Sequence, residues 1–268
     1  MNLNFLSPIC NLKTKTESVN MNEYSIIMEH LVKKYPDVKA VDDLSLQVSK
    51  GELFGLLGPN GAGKTTTINI LCGLLKPTSG SAVVGGYGVQ KEPAKVKELI
   101  GVCPQDTPLY PYLTGKENAE FFGNLQGMPK DKLKNNVNML LQKLYLLDDS
   151  KRRAGKYSGG MKRRLNLVIA LVHDPEIAFL DEPTVAMDPQ SRHAVWGFIR
   201  DLKKNGKTVI LTTHYIEEAE ALCDRVGIID HGKLIALGAP TDLMREYNSK
   251  NLEDVFIQLT GRKIREET

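Results

Sequence analysis

No apolar stretch in the 268 residues approaches the ~20 needed for a membrane-spanning helix; the best candidate, 165–172, is short and follows Lys162, Arg163 and Arg164. The chain therefore forms no helical membrane channel by itself. Cysteine is scarce as well: Cys10, Cys72, Cys103 and Cys223 are far apart with no C-x-x-C pair, which argues against a zinc ribbon and a disulfide framework and makes a reducing cytoplasm the default. Charge of one sign is lacking too. Lys plus Arg number 35 against 32 Asp plus Glu, and a net charge of +3 does not argue for a nucleic-acid or membrane-surface binder. There is no internal repeat. What remains is 41% hydrophobic and 25% charged, with 23 Gly and 13 Pro, an ordinary globular composition with mass for a sizeable core. Residues 1–20 hold scattered Asn, Ser, Thr and Lys, with too few apolar residues (Leu3, Phe5, Leu6, Ile9) for a signal peptide. Organisation begins near Tyr24, Met21 reads as the native start, and 1–22 is expected to be a disordered extension.

Apolar residues at 26–28, at Val41, Leu44, Leu46 and Val48, and through 53–57 read as successive strands, separated by the turn signals Pro36-Asp37 and Lys50-Gly51. A Gly-rich turn, a helix over about 64–74, a strand at 82–84 and another ending at Val102 follow. After residue 114 the character changes. Leu, Asn, Lys and Gln dominate to about 150, and Val137, Leu140, Leu141, Leu144 and Leu147 recur at helical spacing, which predicts a helical subdomain over about 108–160. From Gly159 a helix (to about His173), a strand (177–180), a helix (about 189–204), a strand (208–212), a helix (216–223) and a strand (226–229) alternate. That order predicts an α/β fold around a mainly parallel sheet.

Gly58, Pro59, Asn60, Gly61, Ala62, Gly63, Lys64, Thr65 and Thr66 fit G-x-x-x-x-G-K-[ST], directly after a predicted strand and at the start of a predicted helix. Its physics is anion binding. Glycines let successive N–H groups turn toward one centre, the helix adds its positive end, Lys64 adds a point charge at the β/γ-phosphates, and Thr65 supplies a magnesium ligand. Chemistry on a triphosphate also needs a carboxylate at a nearby strand end. The run 177–182, Ile-Ala-Phe-Leu-Asp-Glu, places Asp181 to orient the metal's water shell and Glu182 to act as general base on a water attacking the γ-phosphate.

Tyr157-Ser158-Gly159-Gly160-Met161, 20-odd residues before Asp181, resembles the signature motif of ATP-binding cassette (ABC) ATPases. Other family motifs follow in order: Gln105 matches the Q-loop, Val185-Ala186-Met187-Asp188 the D-loop, His214 the switch histidine, and Tyr35 the aromatic residue that stacks on adenine. The resemblance covers about residue 24 to the C-terminus, with two departures: Met161 stands where Gln is usual, and Ala186 where Gly is common.

The resemblance implies a P-loop NTPase cassette over 23–247, with a mainly parallel core sheet, an antiparallel β subdomain and a helical subdomain, then a short helical tail over 248–268. It implies ATP and Mg²⁺ as cofactors. The catalytic set is Lys64, Gln105, Glu182 and His214, with Thr65, Gln105 and Asp181 at the metal. It further implies a homodimer or heterodimer of head-to-tail cassettes, in which Ser158, Gly159 and Gly160 reach the partner's ATP and Asp188 belongs to the D-loop. The segment 112–118, the form YSGGMKRRL, the run DEPTVAMDP and the tail 252–261 are similar to ATPase subunits of ABC-2 exporters, a group that includes the drug-resistance type. That implies a separate integral-membrane permease, docked beside the Gln105 loop and the helical subdomain, and a peripheral position on the cytoplasmic face of the membrane.

Seven basic residues without an acid (Lys151, Arg152, Arg153, Lys156, Lys162, Arg163, Arg164) flank the signature. They read as a cationic rim for the partner's nucleotide or as a solvated helix face, with nucleic-acid binding the third and weakest option. The rival functions are a soluble cassette acting on DNA or the ribosome and a regulatory module that binds ATP without hydrolysis. The first usually carries paired cassettes, coiled coils or zinc pairs, and Glu182 and His214 speak against the second.

Overall fold

The computed structural model describes residues 23–106 and 108–261; the extension expected over 1–22 lies outside the described residues. β1 (Tyr24–Lys34) and β2 (Lys39–Ser49) form an antiparallel hairpin in which Ile26 faces Val48, Met28 faces Leu46 and Leu31 faces Leu44. β3 (Leu53–Leu57) leads into α1 (Lys64–Leu71), and β4 (Ser79–Val84) returns antiparallel to β1. β5 (Tyr87–Gly88), α2 (Pro93–Leu99) and β6 (Ile100–Cys103) complete this half.

The helical subdomain contains α3 (Gly115–Leu125) and α4 (Lys130–Lys143). A capping box starts α3: Thr114 Oγ1 accepts from the Glu117 N–H, and Glu117 accepts in return from the Thr114 N–H. Then come α5 (Gly159–Leu171), β7 (Ile177–Asp181), α6 (Pro189–Lys204), β8 (Thr208–Thr213), α7 (Ile216–Leu222), β9 (Arg225–Asp230), β10 (Lys233–Gly238), α8 (Pro240–Glu246) and α9 (Leu252–Thr260).

The larger sheet has the order β10-β9-β3-β8-β7-β6, parallel throughout except at β9–β10, and the smaller, antiparallel sheet the order β2-β1-β4-β5. The central strands are near-continuous apolar runs because both faces are covered. Leu53 and Leu57 of β3, Ala178 and Leu180 of β7, and Val209 and Leu211 of β8 enter one core with the helical subdomain. The alternate residues Phe54, Leu56, Ile177, Phe179 and Ile210 enter the other, shared with α1 and the antiparallel sheet. The period of two thus divides each strand between two cores.

Several elements depart from the sequence expectation. α1 ends at Leu71 rather than near 74, because Gly73 turns left-handed (φ +69°) and the Leu74 N–H bonds back to the Asn69 carbonyl at 2.9 Å. Leu147 lies beyond α4 and is 41% exposed, so the helical repeat stops one turn early. β10 and α8 extend the fold past the last predicted strand. In the tail, Leu252, Val255 and Phe256 of α9 are fully buried in the core that also receives Ala219 and Leu222 of α7.

Candidate active site

β3 delivers the chain into the loop 58–63, whose geometry demands glycine at three points, the first being Gly58, where a Cβ would lie 2.3 Å from the Ile229 carbonyl oxygen. Gly61 and Gly63 have φ of +81° and +105°, and a Cβ on Gly63 would lie 2.1 Å from the Ala40 carbonyl oxygen. The β1–β2 hairpin therefore backs directly onto the loop. Lys64, 5% exposed, donates from Nζ to the carbonyls of Gly58 (2.7 Å) and Pro59 (3.0 Å) and stands 3.8 Å from Oε1 of Glu182. Burial pushes its pKa down, opposed by the carboxylates of Glu182 and Asp181. Asn60, Gly61 and Thr65 are exposed at the mouth, Pro59 and Thr66 half-buried, Gly58 and Ala62 buried.

The acids sit where β7 meets β8. Asp181 pairs in register with Thr212, whose hydroxyl donates to Oδ1 of Asp181 and accepts from the Glu182 N–H at 3.1 Å. A left-handed turn at Glu182 (φ +50°) ends the strand. Its Oε1 lies 2.9 Å from Nδ1 of His214, and its Oε2 accepts from Nε2 of Gln105 at 3.3 Å. Burial raises the Glu182 pKa, but the His214 hydrogen bond and the charges of His214, Lys64 and Arg163 outweigh it, so the carboxylate form is favoured. Lys64, Gln105, Glu182 and His214 are thus one contact group. Thr65, Gln105 and Asp181 line a single cavity of about 530 Å³, walled further on by Pro108, Phe122 and His173.

Of the remaining predicted residues, Ser158, Gly159, Asp188 and Tyr35 are exposed and Gly160 is half-buried. Ser158 caps α5, its Oγ accepting from the Met161 N–H at 3.3 Å; Ser158 and Gly159 are exposed, and a Cβ on Gly159 would meet nothing within 4 Å. Asp188 caps α6 through the Ser191 N–H (2.9 Å), a bond that lowers its pKa. Tyr35, 43% exposed, stands in the β1–β2 turn with the Lys33 ammonium 5.2 Å from its ring centre. Met161 takes a contact of its own: its sulfur accepts from Nη2 of Arg152 at 3.1 Å.

The cationic run is not one surface. Lys151, Arg152, Arg153 and Lys156 are exposed, but Arg164 reaches the carbonyls of Leu144 (3.0 Å) and Tyr145 (3.2 Å), and Arg163 is buried against the loops that carry Gln105 and Glu182. Neither a rim nor a solvated face describes Arg163.

Residues 41–185 match the family model described as ABC transporter. The chain belongs to the ABC transporter family. This cassette is 46% identical over 238 residues to the linearmycin resistance ATP-binding protein LnrL of Bacillus subtilis (strain 168), covering 89% of this chain and 75% of that one. It is 41% identical over 247 residues to the doxorubicin resistance ATP-binding protein DrrA of Mycobacterium tuberculosis (strain CDC 1551 / Oshkosh), covering 91% and 73%. Among solved structures it resembles the dimeric post-hydrolysis state of the ATP-binding cassette MJ0796 bound to ADP and Pi, with a TM-score of 0.74 and 25% identity over 80% of this chain and 98% of that one. The α/β cassette fold expected from the sequence is the one observed, and the chain is an ATP-binding, ATP-hydrolysing subunit of an ABC transporter.

Two further buried charges of the ABC cassette bear on this arrangement, Arg163 and Glu218. Arg163 shares the inner face of α5 with Asn166, Leu167 and Ala170, and that helical spacing was its available signal. Glu218 of α7, 0% exposed, accepts at Oε1 from the Thr184 hydroxyl and the Trp196 indole N–H, both at 2.8 Å. It ties the segment before the D-loop to α6 and α7.

Proposed function

We propose that two such cassettes pair head to tail, each ATP held by the phosphate loop of one and the α5 start of the other, and that their closing and opening drive a separate membrane-embedded permease. In this reading the permease supplies the membrane span and the subunit sits against its cytoplasmic face; among the described residues no helix is long and apolar enough to cross a membrane. The observation that carries the reading is the Glu182 carboxylate, gripped by His214 and Gln105 and standing 3.8 Å from Lys64.

Entering phosphate draws Lys64 off the two loop carbonyls, since a triphosphate offers it full negative charge. Glu182 then takes the proton of the attacking water as His214 and Gln105 hold the carboxylate oriented, a role worth about 10²–10⁴-fold in rate. The hydroxyl of Thr65, the carboxylate of Asp181 and the amide oxygen of Gln105 are hard oxygen donors in one cavity, the set Mg²⁺ prefers, and they would hold it. Held there, it would supply charge neutralisation on the phosphates.

Resistance to linearmycin and doxorubicin in the names of the relatives points to export, and drug molecules are the substrate class this suggests. Purification of the native subunit with its partners tests the reading. A co-purifying polytopic protein that stimulates ATPase activity supports it; recovery with ribosomes or DNA instead overturns it.

A further inference from the structure

Helix α5 carries Ser158 and Gly159 at its open end, and one turn further along it carries a side chain that faces inward. Arg163 is 5% exposed, and its three nitrogens, with five N–H groups, reach five backbone carbonyls. Nη1 donates to Pro104 (2.6 Å) and Gln105 (2.7 Å), Nη2 to Glu182 (2.7 Å) and Asp181, and Nε to Pro183 (3.3 Å). Asn166, on the same helix face, adds a bond from Nδ2 to the Pro104 carbonyl at 3.0 Å. These carbonyls belong to two stretches remote in sequence, the loop after β6 and the end of β7. Between them they carry Gln105, Asp181 and Glu182.

A buried cation survives only where its partners are well placed. Here the partners are the main chain of the catalytic loops themselves, gripped by a planar fork that spans both stretches at once. An ammonium, with all its donors on one nitrogen, does not span them. Five residues of helix separate Ser158 from Arg163, about 7.5 Å along a stiff axis. A displacement of the helix end is therefore carried to the loops with little loss.

We propose that Arg163 is a positioning residue that couples the two ATP sites: a nucleotide engaged by Ser158 and Gly159 from the partner sets, through α5 and Arg163, the placement of Gln105 and Glu182 at this chain's own phosphate loop. The inference rests on the two-cassette reading above. It makes each site's chemistry depend on occupation of the other.

Arg163→Lys in the full chain tests it, with ATP affinity, kcat and the ATP dependence of the rate measured beside the wild type. The expected result is unchanged ATP affinity, kcat lower by about 100-fold, the effect of misplacing a catalytic group by ~1 Å, and loss of the sigmoidal ATP dependence that the coupling predicts for the wild type. A folded variant with wild-type kcat and sigmoidicity overturns the role of Arg163, as does one whose ATP affinity falls in step with kcat. Where Arg163→Lys does not fold, Asn166→Ala decides, since it removes one bond to the same Pro104 carbonyl: a several-fold loss of kcat at constant ATP affinity supports the coupling, and no change overturns it. A wild type that neither dimerises with ATP nor shows sigmoidal kinetics overturns the two-cassette reading, and the inference with it.

Discussion

Nδ1 of His214 stands 2.9 Å from Oε1 of Glu182, and Nε2 of Gln105 donates to Oε2 of the same carboxylate at 3.3 Å. Two loops from different parts of the chain therefore hold both oxygens of one buried acid. Glu182→Gln keeps the shape and loses the base. We expect kcat to fall about 10²–10⁴-fold while ATP binding persists and an ATP-bound dimer accumulates, read by phosphate release and light scattering. Because His214 acts on the same carboxylate, adding His214→Ala should cost little beyond the single change, a strong non-additivity. Full additivity would separate the two residues, and a wild-type rate in Glu182→Gln would remove Glu182 from the base's role.

Ser158→Arg places a long cation at the open end of α5 and also removes its cap. Loss of the cap lowers stability by about 1 kcal/mol, a small fall in Tm. The larger expected effect is on assembly: ATP still binds the monomer, since Lys64 and the glycine loop are untouched, but no closed dimer forms and turnover drops to background. Normal dimerisation by sedimentation would show that this helix end faces no partner.

Ala186 has φ of +60°, a conformation that costs a non-glycine residue roughly 1–2 kcal/mol, and it stands in the run after Glu182 that leads to Asp188. Ala186→Gly relieves that strain, and the greater freedom of glycine in the unfolded chain returns part of the gain. The expected net change lies between zero and about 1 kcal/mol of added stability, measured by urea unfolding. A loss would mean that the Ala186 methyl makes a contact that the backbone conformation does not reveal.

The phosphate loop and the strand ending in Asp181 and Glu182 were legible because both are local. The glycines, the lysine and the acids sit at fixed offsets next to runs of apolar residues, and β7 and β8 then bring Asp181 and Thr212 into register. The alternation of strands and helices likewise reported the parallel sheet, since strands covered on both faces must be apolar throughout. The inward turn of Arg163 is not legible in the sequence, for a physical reason. Six of its neighbours in the run from Lys151 to Arg164 are also basic, and composition cannot say which member of a charged run turns inward; the carbonyls that satisfy it come from residues 104–105 and 181–183, supplied only by the tertiary fold. The apolar pattern runs on through Leu74 and Leu75, but α1 ends at Leu71 because Gly73 turns left-handed.

Glu218 presents the second hidden charge and a test by pH. Burial pushes its pKa up, while the Thr213 hydroxyl, the hydrogen bonds from Thr184 and Trp196 and the Arg192 charge pull it down without prevailing. Since the folded-state value lies above the unfolded one, the folded chain binds the extra proton, and Glu218 contributes stability that is complete below the ordinary value of 4.5 and is lost as pH rises through the folded value. Glu218→Gln keeps an oxygen for the Trp196 and Thr184 donors and does not titrate. The difference in unfolding free energy between Glu218→Gln and wild type should therefore shift in favour of the variant as pH rises from 4.5, at no more than about 1.4 kcal/mol per pH unit, and level off above the folded pKa. Thermal unfolding of both proteins at matched ionic strength measures it. A difference that stays flat with pH would mean that Glu218 titrates alike in both states, and a difference of opposite slope would mean that the hydrogen bonds and the nearby Arg192 charge, rather than burial, govern this carboxyl.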